Sequence, residues 1–550
     1  MASKHILTIR ESFMLLSLTF TICLTAVSCK APPPGVSNIL QPMIRVGIVE
    51  QRQRVDFKIP DGASFQDKNG SALVPSAKGG HWQVEVLNSQ PARFEYRLSV
   101  GTPRDRYSAE EIVRYMDKRG LDAEIRKQKI EPEPRLRYAH KAVYHVLLKE
   151  KFQTEKQAKS HMAAIHDKTN SDVVAIPISA ARGAMRFRNL DTGDRFDARD
   201  VVKLEATEVE LAQVEVGSGF HWESSERRRY GGAIEFVVDA SGGITVVNRL
   251  LLESYLRGVV PSEMPASFPH EALKAQAVTA RVEAISKLGR RHPFEPFDLC
   301  DDVHCQVFSG ISKLAAETDR AIQSTRGTFM VYRNQLSEAF YAGVCGGHTE
   351  NNDNVWNMNA TPYLRGVLDK HATRLRSALA DETKLRRWID NSPDVYCNPA
   401  KGNVPKSVSY SKKYFRWQFR YSREELERII KDKTGEEFGH LQDLKPVSRG
   451  VSGRLIELEV VGTKKSFRIS KELAIRRALS RNTLYSACFY VAKEGETNAL
   501  PRTFVLRGGG WGHGVGMCQV GAAVMAHRGK RVDQILRHYY RGVFLEKLYK

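Results

Sequence analysis

The stretch "GVVPSEMPASFPHEALKAQAVTARVEA", residues 258 to 284, sets an acid among apolar residues and then runs into a helical pattern. Glu263 stands between Pro261 and Pro265, with Val259, Val260 and Met264 around it. Ser267 as a possible cap, Pro269 in the first turn and Glu271 near the positive end mark a helix start. Ala275, Val278, Val282 and Ile285 recur at spacings of three and four, which predicts a helix with one buried face. Glu263 then lies on a loop pinned by two prolines against a packed helix, where a catalytic group can be held still. Apolar surroundings raise a carboxyl's pKa and keep it protonated near neutrality, as a general acid requires. A glutamate that merely caps the helix N-terminus fits the same spacing.

Upstream, "GGAIEFVVDASGGITVVNRLLLESYLRGVV" alternates as strands do, turns at Gly242 and Gly243, and leads into that stretch. Residues 44 to 92 read as a small β region beginning with the strand "IRVGIVE". Between the two lies a clearer unit, residues 93 to 178. "RFEYRLSV" reads as a strand, and Ser108 with Glu111 as a capping box for a helix ending at Gly120. Two further strands follow, then a second capping box, Thr154 with Gln157, before a helix with Ala158, Met162 and Ile165 on one face. "SDVVAIPI" closes a β-α-β-β-α-β order, which predicts a four-stranded antiparallel sheet with two helices on one side. The fold class is therefore α+β.

The chain has 550 residues, 84 Lys and Arg against 63 Asp and Glu, and a formal charge of +21. That balance suits a polyanionic partner or simply a cationic surface. Lys4 and Arg10 precede the apolar run "FMLLSLTFTICLTAV", which reads as a signal peptide over residues 1 to 29. Cys29, in "AVSCKAPPPG", resembles a lipidated lipoprotein cysteine, although Ala26 stands where leucine is usual. Residues 30 to 43 read as a stiff tether. Export to the cell envelope with a lipid anchor in the membrane is expected, and nucleic acid is not an expected partner.

Four blocks, in order, carry a family resemblance. "LRGVVPSEMPASFPHEALKAQAVTAR" resembles the central motif of the stage II sporulation protein D (SpoIID) family, which includes amidase enhancers. "DLCDDVHCQVFSG" at 298 to 310, "AFYAGVCGGHTENNDNVW" at 339 to 356 with "PYLRGV" at 362 to 367, and "LRGGGWGHGVGMCQVGAAVMAHRGKRVDQILRHYY" at 506 to 540 are similar to its later blocks. The resemblance implies a β-rich catalytic domain with a buried central helix, spanning 44 to 92 and 179 to 550. The unit at 93 to 178 is similar in order and length to a SPOR domain, a peptidoglycan-binding module. The activity implied is a lytic transglycosylase that cuts between N-acetylmuramic acid and N-acetylglucosamine and leaves 1,6-anhydro ends. Its substrate would be peptidoglycan glycan strands, stripped of peptides. A non-catalytic enhancer working with an N-acetylmuramoyl-L-alanine amidase, or a glycan-binding envelope protein, is the alternative.

The family's essential acid falls on Glu263. Gln276 and Arg281 occupy family-like positions, Gln276 beside the acid or sugar and Arg281 as substrate contact or internal brace. Thr349, Glu350 and Asn354 are expected to line a cleft. Trp511 is a candidate for sugar stacking or the core, and His513 for donation to substrate. The glycine-rich "GGGWGHGVGM" lacks both phosphate-loop and dinucleotide patterns, so its glycines allow close backbone approach. No cofactor is required by this chemistry. His292, Cys300, His304 and Cys305 form a candidate structural zinc site, as some family members have, with Cys345 as a further ligand. Disulfides fit an exported chain equally, Cys300 with Cys345 or Cys488 with Cys518.

Overall fold

The computed structural model describes residues 41–550 except 131–135, 166–168, 170, 371–378 and 498. The expected leader and the Cys29 site lie outside the described residues. No described helix is long and apolar enough to cross a membrane.

Helices and many strands alternate along the chain, giving an α+β fold. Its main sheet has eleven strands. At its centre the long hairpin Val201–Val216 and Ser224–Val238 continues into Ile244–Leu251. Met43–Arg52 pairs antiparallel with Ile244–Leu251, Val46 opposite Asn248. The short strand Leu299–Cys300 then adds parallel to Met43–Arg52. The N-terminal β region is thus part of the same sheet as residues 182–251, although about ninety residues of sequence intervene between Gln90 and Arg182. Those two residues are cross-strand partners, so the intervening unit leaves and re-enters the sheet at one point.

That unit has the expected β-α-β-β-α-β order. Its strands lie in the order Ala123–Lys129, Ala142–Leu148, Arg93–Gly101 and Asp172–Ser179, each neighbour antiparallel. The Thr154 and Gln157 capping box forms. The first helix, Arg106–Asp117, is capped instead by Asp105, whose carboxylate accepts the Ser108 N–H. Asp105 outcompetes Ser108 because its extended backbone already suits the cap position.

The acid-bearing segment also departs from the sequence reading. Glu263 ends a helix, Leu252–Glu263, rather than standing on a loop, and Pro261 lies inside its last turn. The central helix, His270–Lys287, begins after Pro269 with no side-chain cap, so Ser267 plays no such part. It is buried almost all round from Ala272 to Lys287 rather than on one face. Ala272, Ala275, Ala277, Ala280 and Ala284 keep it slim, and helices Leu252–Glu263, Ala316–Ser324, Gln519–His527 and Val532–Tyr539 pack around it. Residues 417–506 gather a further core of their own around Leu426, Leu458, Ile475 and Phe504, within the stretch 179 to 550 expected as one domain.

Candidate active site

Glu263 is half-buried at the end of its helix. Its Oε1 accepts the Val307 N–H at 2.8 Å. The Tyr341 hydroxyl adjoins the carboxyl and is otherwise unpaired among the described residues. Gln519 donates through Nε2 to the Glu263 backbone carbonyl at 3.0 Å and to Gln276 Oε1 at 3.3 Å. Desolvation raises the Glu263 pKa and outweighs the opposing Val307, Tyr341, Lys287 and Gln519 contributions. The Gln276 Nε2 and Tyr341 hydroxyl are buried polar atoms without a bond in normal geometry, which leaves donors free beside the acid.

The two glycine-flanked blocks lie side by side behind this carboxyl. Tyr341 and Ala342 pair in parallel with Met517 and Cys518, and Val344 exchanges backbone bonds with Trp511. Gly514 and Gly516 have φ of +78° and +73°. A Cβ on Gly516 would sit 1.9 Å from the Phe340 carbonyl, and one on Gly514 2.3 Å from the Arg454 guanidinium. The glycines therefore serve close approach to the core. His513 is held neutral, its pKa pushed down to about 3 by burial and then by Arg454 and Arg476. Its Nδ1 accepts the Val515 N–H at 3.0 Å, and the ring also bonds the Tyr341 backbone. His513 thus positions Tyr341, in place of the expected donation to substrate.

Three other expected substrate contacts are internal. Arg281 is fully buried and forks onto Glu253, at 2.9 and 2.8 Å, so it is the brace. Glu350 is 1% exposed, and its carboxylate accepts the Val451 and Ser452 N–H groups, the Ser452 hydroxyl and Asn354 Nδ2. It ties a loop of the 417–506 core to this block, and Asn354 supports it. Thr349 exchanges bonds with Val367. Polar density along "HTENND" was the misleading signal.

Trp511 is partly exposed and stacks on Tyr414 at 4.2 Å and 14°. Trp222, at the tip of the long hairpin, meets it edge-on at 5.7 Å, and Phe220 stacks on Trp222 at 4.8 Å. The tip is anchored by Asp302, which accepts the Gly217 and Ser218 N–H groups, and by Thr483, which donates to the Gly219 carbonyl. Phe220, Trp222, Tyr341, Tyr414 and Gln519 were missed in the sequence, since only the fold brings them together. A separate surface cavity lined by Arg249, Ser254, Arg257 and Gly310 does not include Glu263.

Next to this site, the ligand atoms of His292, Cys300, His304 and Cys305 all lie within 4.8 Å of one another. Cys345 does not join them. It faces Cys397 at 3.5 Å and offers its N–H to Cys518 Sγ. Cys488 Sγ faces the Ser452 carbonyl at 3.4 Å. Neither expected disulfide pairing is formed, because the fold sends Cys300 and Cys345 to different clusters and Cys488 to neither.

All four sequence blocks thus converge on one carboxyl. A stage II sporulation protein profile matches residues 240–332, and a profile for a domain of unknown function matches 350–516. The stage II sporulation protein D of Bacillus subtilis (strain 168) is 30% identical over 319 residues, 54% of this chain and 74% of that protein. The chain belongs to the stage II sporulation protein D family. An uncharacterized protein of Brachyspira hyodysenteriae (strain ATCC 49526 / WA1) is 29% identical over 314 residues, 57% of this chain and 71% of that one. The amidase enhancer of Bacillus subtilis (strain 168) is 27% identical over 302 residues, 53% of this chain and 40% of the enhancer. In this family member the sporulation-protein profile covers the acid helix, the central helix and the Val307 loop, while Tyr341 and Gln519 come from beyond its end.

Proposed function

We propose that this chain acts on the cell wall as a peptidoglycan lytic transglycosylase, with Glu263 as its acid and base. The observation that carries the reading is the environment of Glu263: a desolvated carboxyl with raised pKa, facing one N–H and one hydroxyl. The buried acid across Tyr341 from it, Glu283, is spent on Lys287 at 2.8 Å. Ordinary glycoside hydrolysis needs two carboxyl groups. One suffices if the sugar's own C6 hydroxyl is the nucleophile, already held close to C1. Glu263 gives its proton to the glycosidic oxygen as the C1–O bond breaks. The C6 oxygen bonds to C1, and its proton passes to the Glu263 carboxylate. The acid is regenerated and no water is consumed. The Val307 N–H and Tyr341 O–H stabilise the carboxylate between the two transfers.

The partly exposed aromatic group of Phe220, Trp222 and Trp511 supports a glycan substrate, whose sugar faces are apolar enough to stack. A structural zinc on His292, Cys300, His304 and Cys305 belongs to the same reading. Two imidazoles and two thiols at this spacing fit tetrahedral zinc. Bound there, the ion would fix the loop that presents Val307 to Glu263 and supply no chemistry.

The test is mass spectrometry of products from intact and amidase-stripped peptidoglycan, with Glu263→Gln alongside. Anhydro-ended sugars from the unmodified chain alone support the reading, and reducing ends would overturn its single-carboxyl mechanism. The relative named an amidase enhancer favours a second reading. No cleavage, with glycan binding and amidase stimulation retained, would put that one first.

A further inference from the structure

We propose that Cys345, Cys397, Cys518 and Asp369 form a second metal site, a structural zinc centre buried behind the candidate active site. The four residues come from four separated points of the chain. Their ligand atoms all lie within 4.8 Å of one another, and the Cys345 and Cys397 sulfurs are 3.5 Å apart. Zinc at ordinary thiolate bond lengths, in a tetrahedron, sets neighbouring sulfurs about 3.8 Å apart. The cluster is therefore close to metal-binding size without rearrangement.

Burial makes the case stronger. Cys345, Cys397, Cys518 and Asp369 are 2%, 0%, 1% and 0% exposed. Asp369 makes no ion pair with a Lys, Arg or His among the described residues. Its carboxylate accepts the Tyr539 hydroxyl at 2.7 Å and the Cys397 N–H at 2.8 Å. A buried carboxylate without a countercharge is costly, and a divalent cation removes that cost. The two donors would then orient it as outer-sphere partners do around metal ligands. Cys518 is likewise prepared: its sulfur accepts the Cys345 N–H at 3.2 Å and the Gly521 N–H at 3.4 Å, the latter from the first turn of Gln519–His527.

A disulfide accounts for less. A Cys345–Cys397 bond needs the sulfurs to close to about 2.05 Å, and it leaves Cys518 and Asp369 buried together with no cation. Zinc binding uses all four groups and releases the three thiol protons. The consequence is mechanical. Cys345 lies four residues beyond Tyr341, and Cys518 precedes Gln519, so the ion would clamp together two of the segments that touch Glu263.

The experiment uses the chain exported into an oxidising compartment, purified with zinc and without reductant or chelator. His292→Ala/His304→Ala removes the other cluster's imidazoles and leaves this one whole. Native mass spectrometry and elemental analysis should find one zinc retained in that variant and none after adding Cys397→Ser. Zinc X-ray absorption on the histidine variant should read a sulfur-dominated shell with one oxygen, which keeps the test valid if Cys397→Ser fails to fold. A histidine variant without zinc, a shell of nitrogen and oxygen, or a Cys345–Cys397 disulfide peptide on digestion would each overturn the proposal.

Discussion

At Glu263 stability and chemistry pull in opposite directions. Desolvation lifts its pKa above the ordinary 4.5, so between those two values the folded chain holds a proton that the unfolded chain has lost. Stability contributed by this site therefore falls as pH rises through that window. Glu263→Gln is expected to cost at least about a hundredfold in turnover. It should leave the melting temperature at pH 7 unchanged or higher, with the difference vanishing below the ordinary pKa. Turnover of the unmodified chain should decline on the alkaline side as the acid ionises. A melting temperature clearly lowered at pH 7 would mean the carboxylate is structural. Arg281 behaves oppositely. Burial works to raise the Glu253 pKa, but Arg281, Tyr549 and the Gly327 N–H together hold it below its ordinary value, so that pair stabilises above the unfolded pKa and weakens as pH falls. Arg281→Met strands a buried carboxylate and should cost roughly 3–5 kcal/mol in chemical denaturation. Combining it with Glu253→Gln should recover much of the loss, and failure to recover would contradict the ion-pair account. The assignment of Glu263 as the acid came from the family resemblance, but the carboxyl's apolar setting was legible, because apolar neighbours are a sequence property. Its partners were not: Val307 contributes only backbone, and Tyr341 resembles any strand tyrosine.

Among the elements, the central helix shows how far periodicity reaches. Ala275, Val278, Val282 and Ile285 revealed one face. Another face carries Gln276, Thr279 and Glu283, which reads as solvent-exposed until the partners arrive from distant segments. Thr279 returns its hydroxyl to the Ala275 carbonyl and Glu283 pairs with Lys287, so these two are buried with their bonds satisfied, while Gln276 keeps its Nε2 unbonded beside the acid. The glycine loop was legible in kind but not in target. Its close approach is to Phe340 and Arg454. Gly516→Ala would meet the Phe340 carbonyl and adopt a φ of +73°, so the strand pair carrying Tyr341 must shift. We expect kcat to fall more than KM rises, because the displaced group faces the acid rather than the glycan. Steady-state kinetics on stripped glycan would decide it, and an effect on KM alone would place the loop at the substrate instead.

Across the whole molecule the inserted unit packs against the body of the chain, which predicts a brace. Its topology was legible from caps and strand alternation, but its second sheet face was not. Val143 and Ile130 lie against Gly289, within 3.5 and 3.1 Å of a Cβ built there. His145, 1% exposed, bonds Gln128 and packs on Phe294 at 5.7 Å. Gln128 in turn donates to the Pro293 carbonyl, and Arg104 pairs with Glu338 at 3.1 Å. The face opposite the unit's helices is thus occupied by residues 289–294, the segment around His292. Removing residues 93–179 and joining the adjacent strand ends would expose that segment and leave Arg290 as the remaining ion-pair partner of Glu338. Each buried aliphatic side chain so exposed forfeits about 1.5–3 kcal/mol. The expected outcome is a melting temperature lower by several degrees and faster proteolysis between 289 and 306, with any loss of wall binding following from that loosening. An excised chain that melts unchanged yet no longer sediments with peptidoglycan would show the opposite, an independent binding module whose sheet face does not matter to the body.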